Sequence, residues 1–572
     1  MDTYYRTQLQ LLREGAARFA RAHPALAPML LGEGSDPDVE RILEGTAYLC
    51  GKIHERLDST APEFITALLR LVFPQALLPL PSLTLLSFSP LSGFAETTFL
   101  PAMSKVASVP VDGVACQYST MHDLNILPMS IRQVSCEQQD TYQLVSLTLA
   151  SAAPLKTLLA KYPLTLHVTG SYDAAVRRYF ALRDRLVNME VHVGAGCFTL
   201  PARALVPCPV PNSDPRIVSA AGINKGYMEM LRYFTLPEAL LSLRLSGLSA
   251  QALPEDAHDM TLTLRLTRPQ ENMPAFDAGA FALHVVPAIN LFDAKAEPIN
   301  VDHRQEEYPV ILQNAQQLFL EILDITAVTA LESGGNVMPY RRYESFRTGG
   351  DARYYTVSCR QRDEKPVPDY FICPLYHGEQ EEELRPATFS VTAACCNHTL
   401  PTRLRPGDVC RPTDSSPAQA SFTNITKPTP TFPRLRVEAQ RWAFLAHLNT
   451  NLLSMASAEG LRSLLELYIM NSPDAPEYAA INRRRCGAIQ HFSAHPEDRL
   501  YRGRPLRGFQ LQLTLASSGF TSTEDMLLFA QSIDRFVATF TPINTYSRLK
   551  LTVSGTGEIH QWPPRLGEKQ LL

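Results

Sequence analysis

A chain of 572 residues is too long for one hydrophobic core, so three or four domains are expected. Apolar residues make up 45% and charged residues 19%, the balance of a soluble globular protein, and a net charge of −4 lacks the basic footprint of a nucleic-acid binder. The longest apolar stretch, Phe64 to Pro81, is broken by Arg70, Pro74 and Pro79, which excludes a bilayer-spanning helix there.

In chain order, the first elements are helical. Tyr5, Leu9, Leu12, Ala16, Phe19 and His23 recur at alternating spacings of four and three, which places them on one seam of a helix. Val39, Ile42, Thr46, Leu49 and Ile53 repeat the pattern in a second helix, widened by Leu43, Cys50 and Leu57. Asp36 suits its cap and Pro37 its first turn, where no N–H is needed. Thr60-Ala61-Pro62-Glu63 reads as the capping box of a separate third helix, with a Phe64, Leu68, Leu71 stripe and Pro74 as its stop. Residues 1–80 are therefore expected as a helical arm, its seams packed either within the chain or against another subunit.

The texture then changes. Residues 81–216 carry short β-rich runs (LTLLSFSP, YQLVSLTLA, PLTLHVTG, MEVHVGAGCFTL) separated by Pro, Gly and Asp turns. One helical insertion is expected over Asp173 to Leu186, with Val176, Tyr179, Phe180 and Arg183 at helical spacing, and the loop PCPVPNSDPR at 207–216 ends the unit. A second β-rich domain with long loops is expected over 217–432, its strands including DMTLTLRLTRP, FALHVVPAINLF, FLEILDITAV and ATFSVTAAC. The acidic run at 378–384 reads as a solvated loop, and the Pro, Thr, Ser and Asp-rich stretch from Leu400 to Pro433 as a long loop, functional or ordered by a partner. Residues 433–572 predict a mixed α/β domain. It holds two amphipathic helices (Trp442, Leu445, Leu448, Leu452; then Leu461, Leu464, Leu465, Tyr468), the strand GFQLQLTL, a helix capped by Ser522 with Met526, Phe529, Ile533, Phe536 and Phe540 on one side, and the strand RLKLTV. The fold class is α+β and multidomain.

A search for chemistry returns little. Gly45 and Gly51-Lys52 are separated by five residues where a phosphate-binding loop has four, Ile53 stands where a hydroxyl must reach Mg²⁺, and the run lies inside a helix. Gly194-Ala195-Gly196 lacks a third glycine and reads as a hairpin turn. His54-Glu55 has no histidine four residues after His54, and no G-x-S-x-G elbow occurs. Asp351, Asp363, Glu364 and Asp369 share one polar region and are read as loop acids. Arg483-Arg484-Arg485, with Arg499, Arg502, Arg504 and Arg507, is the one basic concentration, read as a protein contact or a solvated surface. Eleven cysteines, odd in number and without a C-x-x-C pair, read as free thiols. The opening residues lack the apolar core of a signal peptide, so a cytoplasmic chain is expected. No metal, cofactor, nucleic-acid partner or membrane insertion is expected.

Several segments resemble the TssF family, the baseplate wedge subunit of bacterial type VI secretion systems. They are YYRTQLQLLREGAARFARAHP, DPDVERILEGTAYL, FPQALLPLPSL, INKGYMEMLRYFTLPEAL at 223–240, VVPAINLFDAKAEPI at 285–299, CCNHTLP at 395–401, KPTPTFPRL running to WAFLAHLNTNLLSM at 442–455, FAQSIDRFVATFTPINTYSRL at 529–549 and WPPRLG at 562–567. The resemblance spans nearly the whole chain, and none of these motifs is catalytic. Two departures stand out: LTLASSGFTSTEDM keeps only Gly519 where the family usually has an acidic residue and two glycines, and Cys396 replaces a usual Thr, which argues against a metal role. The resemblance implies a non-enzymatic scaffold related to wedge proteins of contractile phage tails. It also implies assembly of two copies with one TssG, joined by TssE and TssK around the VgrG spike, where the sheath starts. In that family a helical bundle is shared between two TssF copies and TssG, so Tyr5, Leu9, Leu12, Ala16 and Phe19 become candidate partner contacts, with the helices around Trp442 and Phe536 as a second candidate surface. The alternatives are a wedge in another contractile device and, further off, a hydrolase.

Overall fold

The computed structural model describes residues 2–24, 37–72, 74–194, 196–209, 211, 225–248, 253–267, 274–313, 319–332, 335–343, 353–360, 367–375, 386–433, 438–448, 452–501 and 504–569. Its helices are α1 (Asp2–Ala22), α2 (Pro37–Val72), α3 (Leu155–Lys161), α4 (Tyr172–Asp184), α5 (Lys225–Thr235), α6 (Glu438–Leu448), α7 (Ala458–Glu466), α8 (Pro476–Gly487) and α9 (Thr523–Ala538). They belong to two compact units: residues 1–77 with 435–449, and residues 78–434 with 450–572.

The described residues of the smaller unit are almost entirely helical. α1 packs along α2, where Arg13 donates to Glu40 at 2.9 Å, and α2 also packs on α6. The expected break at residues 60–63 is absent, and α2 runs through Pro62 as one helix of 36 residues. Proline removes only its own donor and crowds the preceding turn, at a cost of about 3 kcal/mol. Ala47 and Gly51 before the proline and Ile65 and Leu69 after it fall within an arc of about 40° at 100° per residue, so one continuous helix keeps Ile65 and Leu69 in phase with the buried face. α6 is supplied from more than 350 residues downstream, so the predicted boundary at 433 does not mark the start of a separate domain for this helix.

In the larger unit, strands from 81–216 and 217–432 interleave, and the two β-rich domains expected from the sequence are not separate. Leu83–Pro90 lies between Val285–Ile289 and Ala420–Asn424, antiparallel to both, in a six-stranded sheet that also takes Lys105–Val111, Val114–Thr120 and Val409–Pro412. A five-stranded sheet takes Met129–Gln138, Tyr142–Ser151, Leu186–Val193, Gly196–Pro201 and Asp259–Thr267. Residues 292–396 form an eight-stranded sheet around a core that includes Val328, Ile372, Phe389 and Val391. α4 is the expected insertion, with Val176, Tyr179 and Phe180 buried.

The stretch 400–433 is folded on the chain itself. It contributes two strands to the six-stranded sheet, and its polar side chains replace missing ladder partners: Thr429 Oγ1 accepts from the Leu83 N–H at 2.8 Å, Thr426 Oγ1 from Leu85 at 2.9 Å and Ser415 Oγ from Lys105 at 2.8 Å. Its composition reads as loop because hydroxyls here do what backbone carbonyls usually do.

The C-terminal part contains a right-sized strand-helix-strand unit: Arg504–Ala516, α9, then Tyr546–Ser554 parallel to the first strand. Ser522 caps α9 as expected, accepting from the Asp525 N–H at 3.2 Å. α9 is buried nearly all round, beyond the single face predicted. The strand Ile489–Tyr501 was not legible, because HPEDR is polar and holds Pro496. It is an edge strand, where proline is tolerated.

Candidate assembly surface

The α1 seam is only partly covered by its own chain. Tyr5, Leu9, Leu12 and Ala16 are half-buried, and Phe19 is 49% exposed, its ring against His23. α2 is more lopsided. Ile42, Leu49, Ile53 and Phe64 are 68%, 62%, 59% and 63% exposed. At 100° per residue these four fall within an arc of about 60° and run for about 33 Å along the axis. The buried residues Ala47, Gly51, Ile65 and Leu69 lie about 140–180° from Ile42, on the far side of the helix. α2 thus has one apolar face packed in its own unit and a second in water. The stripe read from the sequence through Ile42, Leu49 and Ile53 is therefore the face left in water, and the buried set of Ala47, Gly51, Ile65 and Leu69 was not part of it, since small residues such as Ala47 and Gly51 carry little apolar signal.

The second candidate surface divides. Trp442, on α6 of the smaller unit, is 49% exposed. Phe536, on α9 of the larger unit, has no accessible surface: its ring meets the edges of Tyr468 and Phe540, 5.4 and 5.0 Å between centroids. Phe536 is a core residue, and the expectation that it lies at an interface is corrected.

The sequence features that resembled chemistry take structural places. Gly45 to Ile53 is interior to α2, which begins at Pro37, so helix and not a strand-to-helix loop runs into Gly45. Asp369 lies on the strand Asp369–Leu375; Asp351, Asp363, Glu364 and the acidic run 378–384 lie outside the described residues. Gly194 sits at φ +57° in the expected hairpin turn. Cys395 and Cys396 are buried, and desolvation holds both thiols protonated, Cys395 at about 12. The arginine cluster is not one solvated patch. Arg485 is buried, its Nη2 2.8 Å from Asp525 Oδ1, and it stacks on the rings of Tyr172 and Tyr233 at 5.5 and 5.1 Å. Tyr172 donates to the same carboxylate oxygen at 2.6 Å, so α4, α5, α8 and α9 meet at one buried charge pair.

Two of the segments that carried the resemblance meet in this packing: α5 and α9 come from them, and Tyr233 of α5 meets Phe529 of α9 at 5.4 Å. Gly519 has its α-carbon against Ala488, where a Cβ would collide, so the one glycine retained in that turn is the one sterics require. No described helix is long and apolar enough to cross a membrane.

The family model described as "Type VI secretion system, TssF" matches residues 1–569. The chain is similar to the type VI secretion system component TssF1 of Pseudomonas aeruginosa (strain PAO1), at 25% identity over 625 aligned positions covering 100% of this chain and 99% of that one. Its fold is similar to a chain of a type VI secretion system TssK-TssF-TssG baseplate subcomplex (TM-score 0.76, 24% identity, covering 92% of this chain and 99% of that one). A chain of the type VI secretion system baseplate complex gives a TM-score of 0.67 at 23% identity, covering 99% of each. The chain therefore belongs to the TssF family, whose members are structural, non-enzymatic components of the type VI secretion baseplate.

Proposed function

We propose that this chain is a wedge subunit that assembles with TssG as two copies to one, and that the helical unit of residues 1–77 and 435–449 supplies the shared bundle. The observation that carries the reading is the exposed stripe of Ile42, Leu49, Ile53 and Phe64; Leu11 and Phe19 of α1 are also exposed. An apolar line this long is poorly suited to water and well suited to a second helix. The wedge then joins TssE and TssK, surrounds the VgrG spike and supports sheath assembly, at the cytoplasmic face of the inner membrane. The similarity to a chain of a TssK-TssF-TssG subcomplex supports TssG and TssK among these partners.

The test is co-expression with TssG followed by native mass measurement, for the wild type and for Ile42→Asp with Leu49→Asp. Both positions are more than half exposed, so the isolated variant should keep its melting temperature, whereas the complex should be lost. The wild-type chain alone should self-associate. A variant that still forms a two-to-one complex would place the interface elsewhere.

A further inference from the structure

Outside the assembly surface, one cluster brings together the donor types of a transition-metal site. The strands Leu186–Val193 and Gly196–Pro201 form a hairpin in which Cys197 pairs with His192 and Thr199 with Glu190. Side chains two residues apart on a strand share a face, so Glu190, His192 and Cys197 emerge together on the solvent side of the five-stranded sheet. The His192 Nε2 is 3.5 Å from Glu190 Oε2 and 4.0 Å from Cys197 Sγ, and the ligating atoms of all three lie within 4.8 Å of one another. Bonds of about 2.0–2.3 Å to a tetrahedral zinc ion require ligand separations of about 3.3–3.8 Å, a contraction that rotation of exposed side chains supplies. On the other side of Leu186–Val193, the strand Asp259–Thr267 places Thr261 beside His192 and Thr263 beside Glu190, hydroxyls suited to hydrogen-bonding a ligating carboxylate or a bound water.

We propose that Glu190, His192 and Cys197 form a three-ligand Zn²⁺ site that clips the hairpin, with its fourth position open to water. Thiolate, imidazole and carboxylate together suit zinc, whereas an all-oxygen set would suit magnesium or calcium. The sequence reading had no signal for this, because ligand-spacing rules search for C-x-x-C and histidine pairs, while these donors meet through strand register. The site is independent of the wedge reading: it uses residues of the larger unit, and its readout is metal binding.

The full-length chain, alone or in its co-purified complex, is stripped with a chelator and titrated with Zn²⁺ against a chromophoric competitor. One equivalent should bind. Cys197→Ser and His192→Ala should each weaken binding by more than the roughly 10–100-fold that an outer-shell partner is worth, whereas Cys410→Ser, which removes another exposed thiol, should change nothing. Substitution with Co²⁺ should give a thiolate charge-transfer band that Cys197→Ser abolishes. The three ligands are at the surface, so unchanged metal-free melting temperatures keep loss of folding from imitating loss of the site. Absence of binding, or binding that survives both ligand substitutions, would overturn the proposal.

Discussion

His167 and His284 show how burial fixes a protonation state. His284 accepts the Leu127 N–H at its Nε2 (3.1 Å), so Nδ1 carries the proton and donates to the Phe88 carbonyl at 3.2 Å. His167 Nδ1 lies 2.9 Å from the Ser242 hydroxyl. Desolvation lowers both groups from 6.5 to about 4. A depressed histidine contributes stability that is present above its unfolded value and is lost as pH falls toward the folded value, because the unfolded chain takes up the proton first. Stability should therefore decline as pH drops from 6.5 to 4. At pH 5 each histidine accounts for about 0.9 of a proton taken up on unfolding. In His167→Gln with His284→Gln the urea midpoint should fall less steeply over that window, and an identical slope would show that other groups govern acid sensitivity.

Elements are decided by phase as much as by local preference. Pro62 and the residues around it spell a helix start, yet α2 continues because its apolar positions stay in register on both sides. The missing hydrogen bond is one to the carbonyl of Asp58. Pro62→Ala restores a donor and removes the ring clash, so it should raise the helical content and the thermal stability of the smaller unit, by up to about 3 kcal/mol. Circular dichroism with a melt of the chain checks this; a lower melting temperature would mean that the proline supports a shape the unit needs. The converse case is 400–433, where residues of weak β preference still join the sheet: beyond the strands Val409–Pro412 and Ala420–Asn424, the hydroxyls of Ser415, Thr426 and Thr429 accept from neighbouring backbone N–H groups.

For the whole molecule, the notable arrangement is that the arm closes with a helix borrowed from far along the chain. Phe444 of α6 is buried within the smaller unit. Phe444→Ala removes a core aromatic, a change that costs about 3–5 kcal/mol in a well-packed site. Calorimetry should show a transition belonging to the helical unit moving down while the larger unit's transition stays in place; equal shifts of both would show that they unfold as one cooperative body.

Much of the local structure was determined by the sequence alone. The amphipathic helices, the Ser522 cap, the α4 insertion and the Gly194 turn follow from periodicity and from backbone preferences that act within a few residues. The failure of every phosphate, dinucleotide and hydrolase motif was equally legible, since those depend on short fixed spacings. Tertiary structure decided what depends on distant partners. It sent α6 to the N-terminal helices, wove the strands of two expected domains into shared sheets, buried Arg485 and Phe536, and set Cys197 opposite His192. It also chose which apolar face of α2 the chain covers, leaving Ile42, Leu49, Ile53 and Phe64 outside. A helix with two apolar faces has one pattern and two possible burials, and its packing with α1 and α6, set by the tertiary fold, selects between them.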